Sequence, residues 1–128
     1  MIVADASAIL AILLDEPERQ RFIELLNDNA EILMSPVNYW EVLVRALASD
    51  GPSGRERAEH VIASFGIEIA QIDADITRAE VDAFARYGKR APAKLNMGDC
   101  FAYALAKQRN APLLYKGADF AHTDIVAA

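Results

Sequence analysis

Four acidic side chains lie where a charge is costly or where a predicted strand ends, and together they suggest metal-dependent hydrolysis. Asp5 interrupts the apolar N-terminal run, Glu41 lies within a helical segment, Asp99 opens another, and Asp119 follows the apolar run that ends at Tyr115. Carboxylates gathered in one pocket raise each other's pKa unless a cation neutralises them. Oxygen ligands alone favour a hard ion such as Mg²⁺ or Mn²⁺. An ion held in this way can activate water against a phosphodiester.

Three of these positions also have an ordinary structural interpretation. Asp5 precedes a helical segment and suits an N-cap, with Ser7 close enough to assist. Asp99 could likewise cap the helix that it opens. Asp119 has a neighbour, Asp124, that could supply the fourth carboxylate instead or merely precede a last strand. Both interpretations stay open for each residue on these observations.

Glu41 presents the sharper conflict between charge and burial. Helical spacing groups it with four apolar residues that are expected to face the core: Val37, Trp40, Val44 and Ala48. A carboxylate on such a stripe destabilises the fold unless it is paired or bound to a cation. The alternative places Glu41 at the edge of the stripe, where it reaches solvent or Arg45.

The other residues that commonly bind metals do not indicate a zinc site. His60 is expected on a helix surface, and His122 is near enough to Asp119 to remain a minor candidate ligand. Cys100 is the single cysteine, so an internal disulfide is excluded, and its apolar neighbours predict a buried thiol.

Net charge is −6, but the basic residues are concentrated in one part of the chain. Residues 86–116 contain a single acid, Asp99, and seven basic side chains: Arg86, Lys89, Arg90, Lys94, Lys107, Arg109 and Lys116. This asymmetry indicates a local site for an anion or an acidic partner. Solvated helix ends are the alternative explanation.

Alternating strands and helices must position these side chains. Apolar runs predict strands at residues 2–5, 32–35, 67–72 and 113–115, with a weaker fifth at 125–126. Helical periodicity predicts helices at residues 6–14, 18–27, 37–48, 53–64, 75–87 and 99–108. This order predicts an α/β fold with a mainly parallel sheet of four or five strands between two helical layers. The third strand contains Glu68 and Gln71, which favours a position at the sheet edge.

Length and composition predict one domain over residues 1–128 and no association with a membrane. The chain is 53% hydrophobic and 25% charged, as expected for a globular protein. The longest apolar run near the N-terminus covers only residues 8–14, far short of a membrane span. Asp5 lies where a signal peptide would be apolar, and no Lys or Arg precedes it. A cytoplasmic location is the resulting expectation.

Four stretches of the chain, in this order and over essentially its whole length, resemble PIN-domain ribonucleases. They are Asp5 with Ser7, Glu41 on the third helix, the segment LNMGDCFAYALAK at residues 95–107, and Lys116-Gly117-x-Asp119-Phe120. More narrowly, the chain is similar to the VapC toxins of type II toxin–antitoxin pairs. Residues 95–107 are the most specific part of this resemblance.

The resemblance implies an endoribonuclease that depends on Mg²⁺ or Mn²⁺. Asp5, Glu41 and Asp99 correspond to the family's three metal-binding acids, and Asp119 to a fourth, more variable one. Many relatives have a second acid where this chain has Ala118. The resemblance also implies an RNA substrate, a homodimer, and inhibition by a small VapB-like antitoxin that covers the active-site groove.

The remaining residues of the expected site would support the acids or hold RNA. Ser7 and Thr123 are expected to be polar neighbours of the acids. Five basic residues are expected to contact the RNA backbone, which gives position and salt-dependent affinity: Arg86, Lys89, Arg90, Lys94 and Lys116.

Other protein classes fit the sequence less well. A phosphatase of the haloacid-dehalogenase type needs a second acid two residues after its nucleophile, where this chain has Ser7. A receiver domain does not explain Glu41 in the middle of a helix. A catalytically inactive PIN-like binding module is the non-enzymatic alternative, and the presence of all three core acids argues against it.

Overall fold

The sheet forms from four short apolar segments and is parallel throughout. The computed structural model describes all 128 residues. Its strands are β1 (Ile2–Ala4), β2 (Ile32–Met34), β3 (Ile67–Ile69) and β4 (Leu113–Leu114). They lie in the order β3-β2-β1-β4, with every neighbouring pair parallel. The predicted edge position of the third strand is confirmed.

The weaker fifth strand predicted at residues 125–126 does not form. The C-terminal segment meets β4 through one isolated parallel bridge between Leu113 and Ala127. Backbone hydrogen bonds join Leu113 to Val126 and Ala128, and the segment is also held by the side chain of Asp124, which accepts hydrogen bonds from Tyr103 and Tyr87. The sheet therefore has four strands.

Five α-helices and one 3₁₀ helix surround the sheet. They are α1 (Ala6–Leu13), α2 (Arg19–Asn27), α3 (Pro36–Ser64), α4 (Ala74–Tyr87), α5 (Met97–Arg109) and the 3₁₀ helix Asp119–His122. Four of the α-helices begin at a side chain that accepts a backbone N–H hydrogen bond, as expected of N-caps: Asp5, Ser35, Asp73 and Asn96.

The third and fourth predicted helices form one element, α3, with a break inside it. Asp50 and Gly51 leave the helical conformation, and Gly51 adopts φ 66°, which glycine tolerates best. Pro52 then starts the second part in helical geometry. The predicted turn is therefore present, and it divides α3 into two helical parts, as the sequence predicted.

The two faces of the sheet are both covered, as predicted for a three-layer α/β/α fold. Ile2 and Ala4 of β1 pack with α1, α2 and α3, whereas Val3 packs on the opposite face with α4 and α5. This alternation of neighbouring residues follows from the strand period of two. No helix is long and apolar enough to cross a lipid bilayer.

The chain reverses direction across the sheet at β1. The crossovers from β1 to β2 to β3 run one way, and β4 then lies on the other side of β1. Ligands in open parallel sheets bind at such switch points, beyond the carboxyl ends of the strands. Asp5 follows β1 directly, and Asp119 follows β4 within a few residues.

Candidate active site

Asp5 lies at the carboxyl end of β1 and combines both roles considered for it. It is only 4% exposed. Its Oδ2 accepts hydrogen bonds from the Ser7 backbone N–H at 3.0 Å and from the Ser7 hydroxyl at 2.6 Å. Burial raises the pKa of Asp5, and the nearby charge of Asp119 adds to this, against the lowering by hydrogen bonds from Ser7. The N-cap of α1 is thus a buried carboxylate next to a second acid.

Glu41 has a partly buried carboxylate without a compensating partner. It accepts no side-chain hydrogen bond and forms no ion pair with Arg45 or any other cation. Burial, followed by the charges of Asp5 and Asp99, raises the pKa of Glu41 to about 7. Its carboxylate packs directly against Gly98: a Cβ added there would lie 1.7 Å from Glu41 Oε1. The absence of a side chain at Gly98 is what makes room for this carboxylate.

The predicted reason for the burial of Glu41 was wrong. Trp40 is 62% exposed and Val44 is 40% exposed, so the stripe containing them does not face the core. The buried face of this part of α3 instead carries Asn38, Val42 and Ala46. The pattern misled because the exposed face of α3 is itself apolar.

Asp99 is the third residue of α5, where it completes a capping box with the N-cap Asn96, and its charge interacts with the other acids. Its Oδ2 accepts the backbone N–H of Asn96 at 3.0 Å, while Asn96 Oδ1 accepts the backbone N–H of Asp99 at 2.9 Å. Burial raises the pKa of Asp99 to about 6 against this lowering hydrogen bond, and the charges of Asp5 and Asp119 contribute to the rise. The cap therefore leaves Asp99 in a position where it interacts with both.

The structure separates the two candidates for the fourth acid. Asp119 begins the 3₁₀ helix, has no basic partner, and its charge acts on Asp5 and Asp99. Asp124 is fully engaged elsewhere. Its carboxylate accepts hydrogen bonds from Tyr103, Lys107 and Tyr87. The bonds from Tyr103 and Lys107 lower the pKa of Asp124 to about 2. Asp119 is the acid that joins the cluster.

The residues fit a hard divalent cation in their chemistry, because all four candidate ligands are carboxylates. No acid of the set is paired with Lys or Arg, and three have raised pKa values: Asp5, Glu41 and Asp99. As the side chains stand, no group of three His, Cys, Asp or Glu is arranged to hold a metal ion. The negative charges of these acids nevertheless raise one another's pKa. Carboxylates that repel one another in this way are expected to lie further apart without a cation than with one.

Asn38 is a residue of the site that sequence reasoning missed. It is completely buried on α3. Its amide N–H groups donate to Asp5 Oδ1 at 3.3 Å and to the Gly98 carbonyl at 3.1 Å, and its Oδ1 accepts from the Ser35 hydroxyl at 2.6 Å. Asn38 thereby joins the end of β1 to the first turn of α5. Its position three residues before Glu41, on the same helical face, was the available signal.

Replacing Asn38 with Ala should destabilise the fold as well as the site. The change leaves Asp5 Oδ1 and the Gly98 carbonyl without their buried donor, which typically costs about 1–3 kcal/mol. Urea unfolding measures the loss. Asn29→Ala is the matched control, because Asn29 donates to a carbonyl, that of Leu25, in a less buried setting. An equal loss in both variants would contradict the bridging role of Asn38.

Of the two polar neighbours expected for the acids, one is in place. The Ser7 hydroxyl donates to Asp5 and accepts the backbone N–H of Lys116 at 2.9 Å, which ties the end of β4 to Asp5. The expectation for Thr123 was wrong. Its hydroxyl donates to the Phe120 carbonyl and accepts from Ile125, so it closes the 3₁₀ helix and hydrogen-bonds to none of the acids.

The five basic residues expected at the RNA backbone divide into two groups. Lys89, Arg90 and Lys94 are exposed and have no acidic partner; they lie in the loop that leads into α5. Arg86 lies 4.8 Å from the Tyr87 ring centre and 4.0 Å from Asp124. Lys116 forms ion pairs with Glu16 and Glu18, so its amino group is not free. The sequence could not reveal the ion pairs because Asp124, Glu16 and Glu18 are distant along the chain from the basic residues with which they pair.

The metal-free protein should lose stability as pH rises. The folded-state pKa is about 7 for Glu41 and about 6 for Asp99, against 4.5 and 3.8 for the same carboxyl groups when they are exposed to solvent, as in the unfolded chain. Between those values the folded state holds more protons than the unfolded chain, so its stability decreases with increasing pH. Thermal unfolding in chelator should give a lower Tm at about pH 8 than at about pH 5. A Tm that stays constant or rises between these pH values would contradict the raised pKa values. The Glu41→Gln variant should show a weaker dependence of Tm on pH.

Comparison with known proteins identifies what this arrangement resembles. A model of the PIN domain family matches residues 2–126. "VapC ribonuclease Mb2780c" of Mycobacterium bovis is 36% identical over 126 residues, which are 97% of this chain and 96% of that protein. The crystal structure of VapC20 of Mycobacterium tuberculosis, described as a sarcin–ricin loop cleaving toxin, has a TM-score of 0.82 at 14% identity and covers 100% of this chain and 98% of that one. A toxin–antitoxin complex from Klebsiella pneumoniae gives 0.78 at 19% identity, covering 100% of this chain and 97% of that one.

Proposed function

This chain belongs to the PIN-domain family, and from this we propose that it is an endoribonuclease that acts as the toxin of a type II toxin–antitoxin pair. One observation supports the proposal most strongly. Asp5, Glu41 and Asp99 are partly or fully buried acids on three separate elements, and their charges act on one another without a basic residue to neutralise them. A set of this kind destabilises the protein unless a cation is bound there.

We propose Mg²⁺ or Mn²⁺ as the cofactor of this site. Asp5, Glu41, Asp99 and Asp119 would hold the ion, which supplies activation of a water molecule and stabilisation of charge on the scissile phosphate. An anionic cluster would otherwise repel a phosphate. The acids therefore serve RNA binding only together with the cation that they collect.

The chain's own residues prepare this site in three ways. Ser7 and Asn38 fix the two oxygens of Asp5, so that this carboxylate is already oriented. Gly98 leaves space for the carboxylate of Glu41. The exposed Lys89, Arg90 and Lys94 stand before the first turn of α5, where they can hold the phosphate backbone on its way into the site.

The partners in the proposal are RNA, a second copy of the chain and an antitoxin. The similarity to a toxin–antitoxin complex supports an antitoxin partner, and an RNA substrate follows from ribonuclease activity. We place the protein in the cytoplasm, where such a toxin meets its RNA. An inactive PIN-like binding module is the alternative, but it would leave the repulsion among the acids without a function.

Cleavage of RNA by the purified protein tests the proposal. We expect Mg²⁺ or Mn²⁺ to support endonucleolytic cleavage, EDTA to stop it, and restored metal to recover it. The same ions should raise Tm progressively as their concentration increases, because a ligand of the folded state stabilises it. If the protein binds these ions but cleaves no cellular RNA, the result would favour the inactive module. If the protein neither binds these ions nor cleaves RNA, the proposed function is contradicted.

A further inference from the structure

Asp119 lies on a segment that has little regular structure of its own. The segment runs from Lys116, just after β4, to Asp124, and it contains a single turn of 3₁₀ helix, in which hydrogen-bond geometry is poor. No side chain caps this turn, and Phe120 is its one buried residue. Burial of an apolar ring attracts without fixing a direction. Directional contacts at the two ends of the segment must therefore set the position of Asp119.

The start of the segment is tied to Asp5. The backbone N–H of Lys116 donates to the Ser7 hydroxyl at 2.9 Å, and that hydroxyl donates to Asp5 Oδ2 at 2.6 Å. The ammonium group of Lys116 also forms ion pairs with Glu16 and Glu18. This end of the segment is thus fixed to the element that carries the first acid of the site.

The far end of the segment is tied to α5 through the carboxylate of Asp124. Its Oδ1 accepts the O–H of Tyr103, and its Oδ2 accepts Lys107 Nζ at 3.1 Å. Tyr103 is only 7% exposed, so its bond is largely shielded from water. The Lys107 pair is open to solvent and contributes little. The Tyr87 ring lies edge-on to the Tyr103 ring, with centroids 5.4 Å apart, and supports it. Tyr103 is therefore the main donor.

The donors on α5 lie on the helical face that begins with Asp99. Asp99, Tyr103 and Lys107 are four residues apart, so they project from the same side of the helix. Four residues correspond to about 6 Å along the helix axis. The bond between Tyr103 and Asp124 therefore joins the segment of Asp119 to the helix of Asp99. These are two acids whose charges act on each other.

We propose that Asp124, held by Tyr103, is a positioning residue that keeps Asp119 opposite Asp99 and within reach of the same ion. The contact between Asp124 and Tyr103 is called the anchor below. The proposal rests on the proposed function, because Asp119 is taken as a ligand of the ion. Asp124 does not itself touch the ion, since both of its oxygens accept hydrogen bonds elsewhere. Removing an anchor that served only the C-terminal end of the chain would lower stability and leave metal affinity unchanged.

Hydrogen exchange of the metal-free protein tests the anchor without any measurement of activity. Tyr103→Phe keeps the packed ring and removes the donor. The backbone N–H groups of Ala121 and Thr123, which are bonded within the 3₁₀ turn, should then exchange about tenfold faster, the change expected for one hydrogen bond to a charged group.

Tyr87→Phe is the matched control for this experiment. The Tyr87 hydroxyl reaches the same Oδ1 of Asp124 only at 3.4 Å, beyond the usual range of an O–H···O bond, so its loss should leave both exchange rates unchanged. Unchanged rates in Tyr103→Phe, or equal acceleration in the two variants, would overturn the anchor whether or not the protein cleaves RNA.

Manganese binding tests whether the anchor acts through Asp119. Electron paramagnetic resonance measures the unbound Mn²⁺ during a titration. Tyr103→Phe should weaken Mn²⁺ binding about tenfold, at the lower end of the loss typical when a group that orients metal ligands is removed. Asp119→Asn should weaken binding at least as much, and the double variant should bind Mn²⁺ no more weakly than Asp119→Asn alone. At saturating Mn²⁺, Tyr103→Phe should regain the cleavage rate of the unsubstituted protein.

Three results would count against the proposals. Losses of affinity that add in the double variant would show that Tyr103 affects the ion by another route, and would overturn the positioning role. Unaltered Mn²⁺ affinity in Tyr103→Phe would overturn it as well. Failure of the unsubstituted protein to bind Mn²⁺ would contradict the proposed function, and the exchange rates would still decide whether Asp124 holds the segment of Asp119.

Discussion

Replacing Asp5 with Asn should reduce RNA cleavage by at least about 100-fold, the loss typical when one strong electrostatic contact is removed from an active site. Asp5 is the most buried acid of the cluster and the one whose two oxygens are already oriented. Asn keeps the size of the side chain and can still cap α1. The variant therefore removes a charge and leaves the local backbone intact. Single-turnover cleavage at saturating Mg²⁺ measures the effect.

The stability of Asp5→Asn separates a catalytic loss from a folding defect. The new amide meets the Asn38 amide donor unfavourably, while the repulsion from Glu41 and Asp99 is relieved. We expect these effects to offset to within about 1–2 kcal/mol in urea unfolding without metal. Asp82→Asn is the control for loss of an exposed acid and should cleave normally. Undiminished cleavage by a folded Asp5→Asn protein would remove Asp5 from the mechanism.

Replacing Gly98 with Ala should inactivate the protein without unfolding it. The added methyl group would lie 1.7 Å from Glu41 Oε1 and 2.6 Å from its carboxyl carbon. The end of a flexible side chain can move away, so Glu41 leaves the site and the backbone stays in place. Ala is also favoured over Gly within a helix by roughly 0.5–1 kcal/mol. Stability should therefore be kept or rise while cleavage falls as far as in Glu41→Gln.

A double-mutant cycle shows whether the two substitutions act through the same carboxylate. If Gly98→Ala acts by displacing Glu41, combining it with Glu41→Gln should add almost no further loss of activity. Fully additive losses would mean that the methyl group disturbs something else, such as Asp99. Full activity in Gly98→Ala would show that the position of the Glu41 carboxylate does not matter for cleavage.

The sequence was sufficient to predict the architecture, and the structure places the predicted acids close enough for their charges to interact. Alternating apolar runs and helical periodicity predict the parallel sheet, and the edge position of the third strand follows from Glu68 and Gln71. Asp5 and Asp119 could be predicted as neighbours because parallel strands end at one edge of a sheet. The choice between Asp119 and Asp124 could not be made, since it depends on two tyrosines from α4 and α5 that engage Asp124.

Long-range contacts account for what the sequence could not predict. Glu41 was placed beside Asp5 and Asp99 on the basis of the wrong stripe, because an exposed apolar face and a buried one have the same period. Lys116 looked like an RNA-binding residue, but Glu16 and Glu18, a hundred positions away, hold its amino group. The importance of Gly98 depends on which side chain packs against it, and only the folded structure reveals that neighbour.

Anomalous scattering from a crystal soaked with Mn²⁺ tests the central claim most directly. The account predicts a manganese peak within about 2.5 Å of carboxylate oxygens from Asp5, Asp99 and at least one of Glu41 and Asp119. The peak should be lost in Asp5→Asn crystals prepared in the same way. A fully occupied manganese peak elsewhere, with none of these carboxylates in contact with it, would contradict metal binding by the four acids.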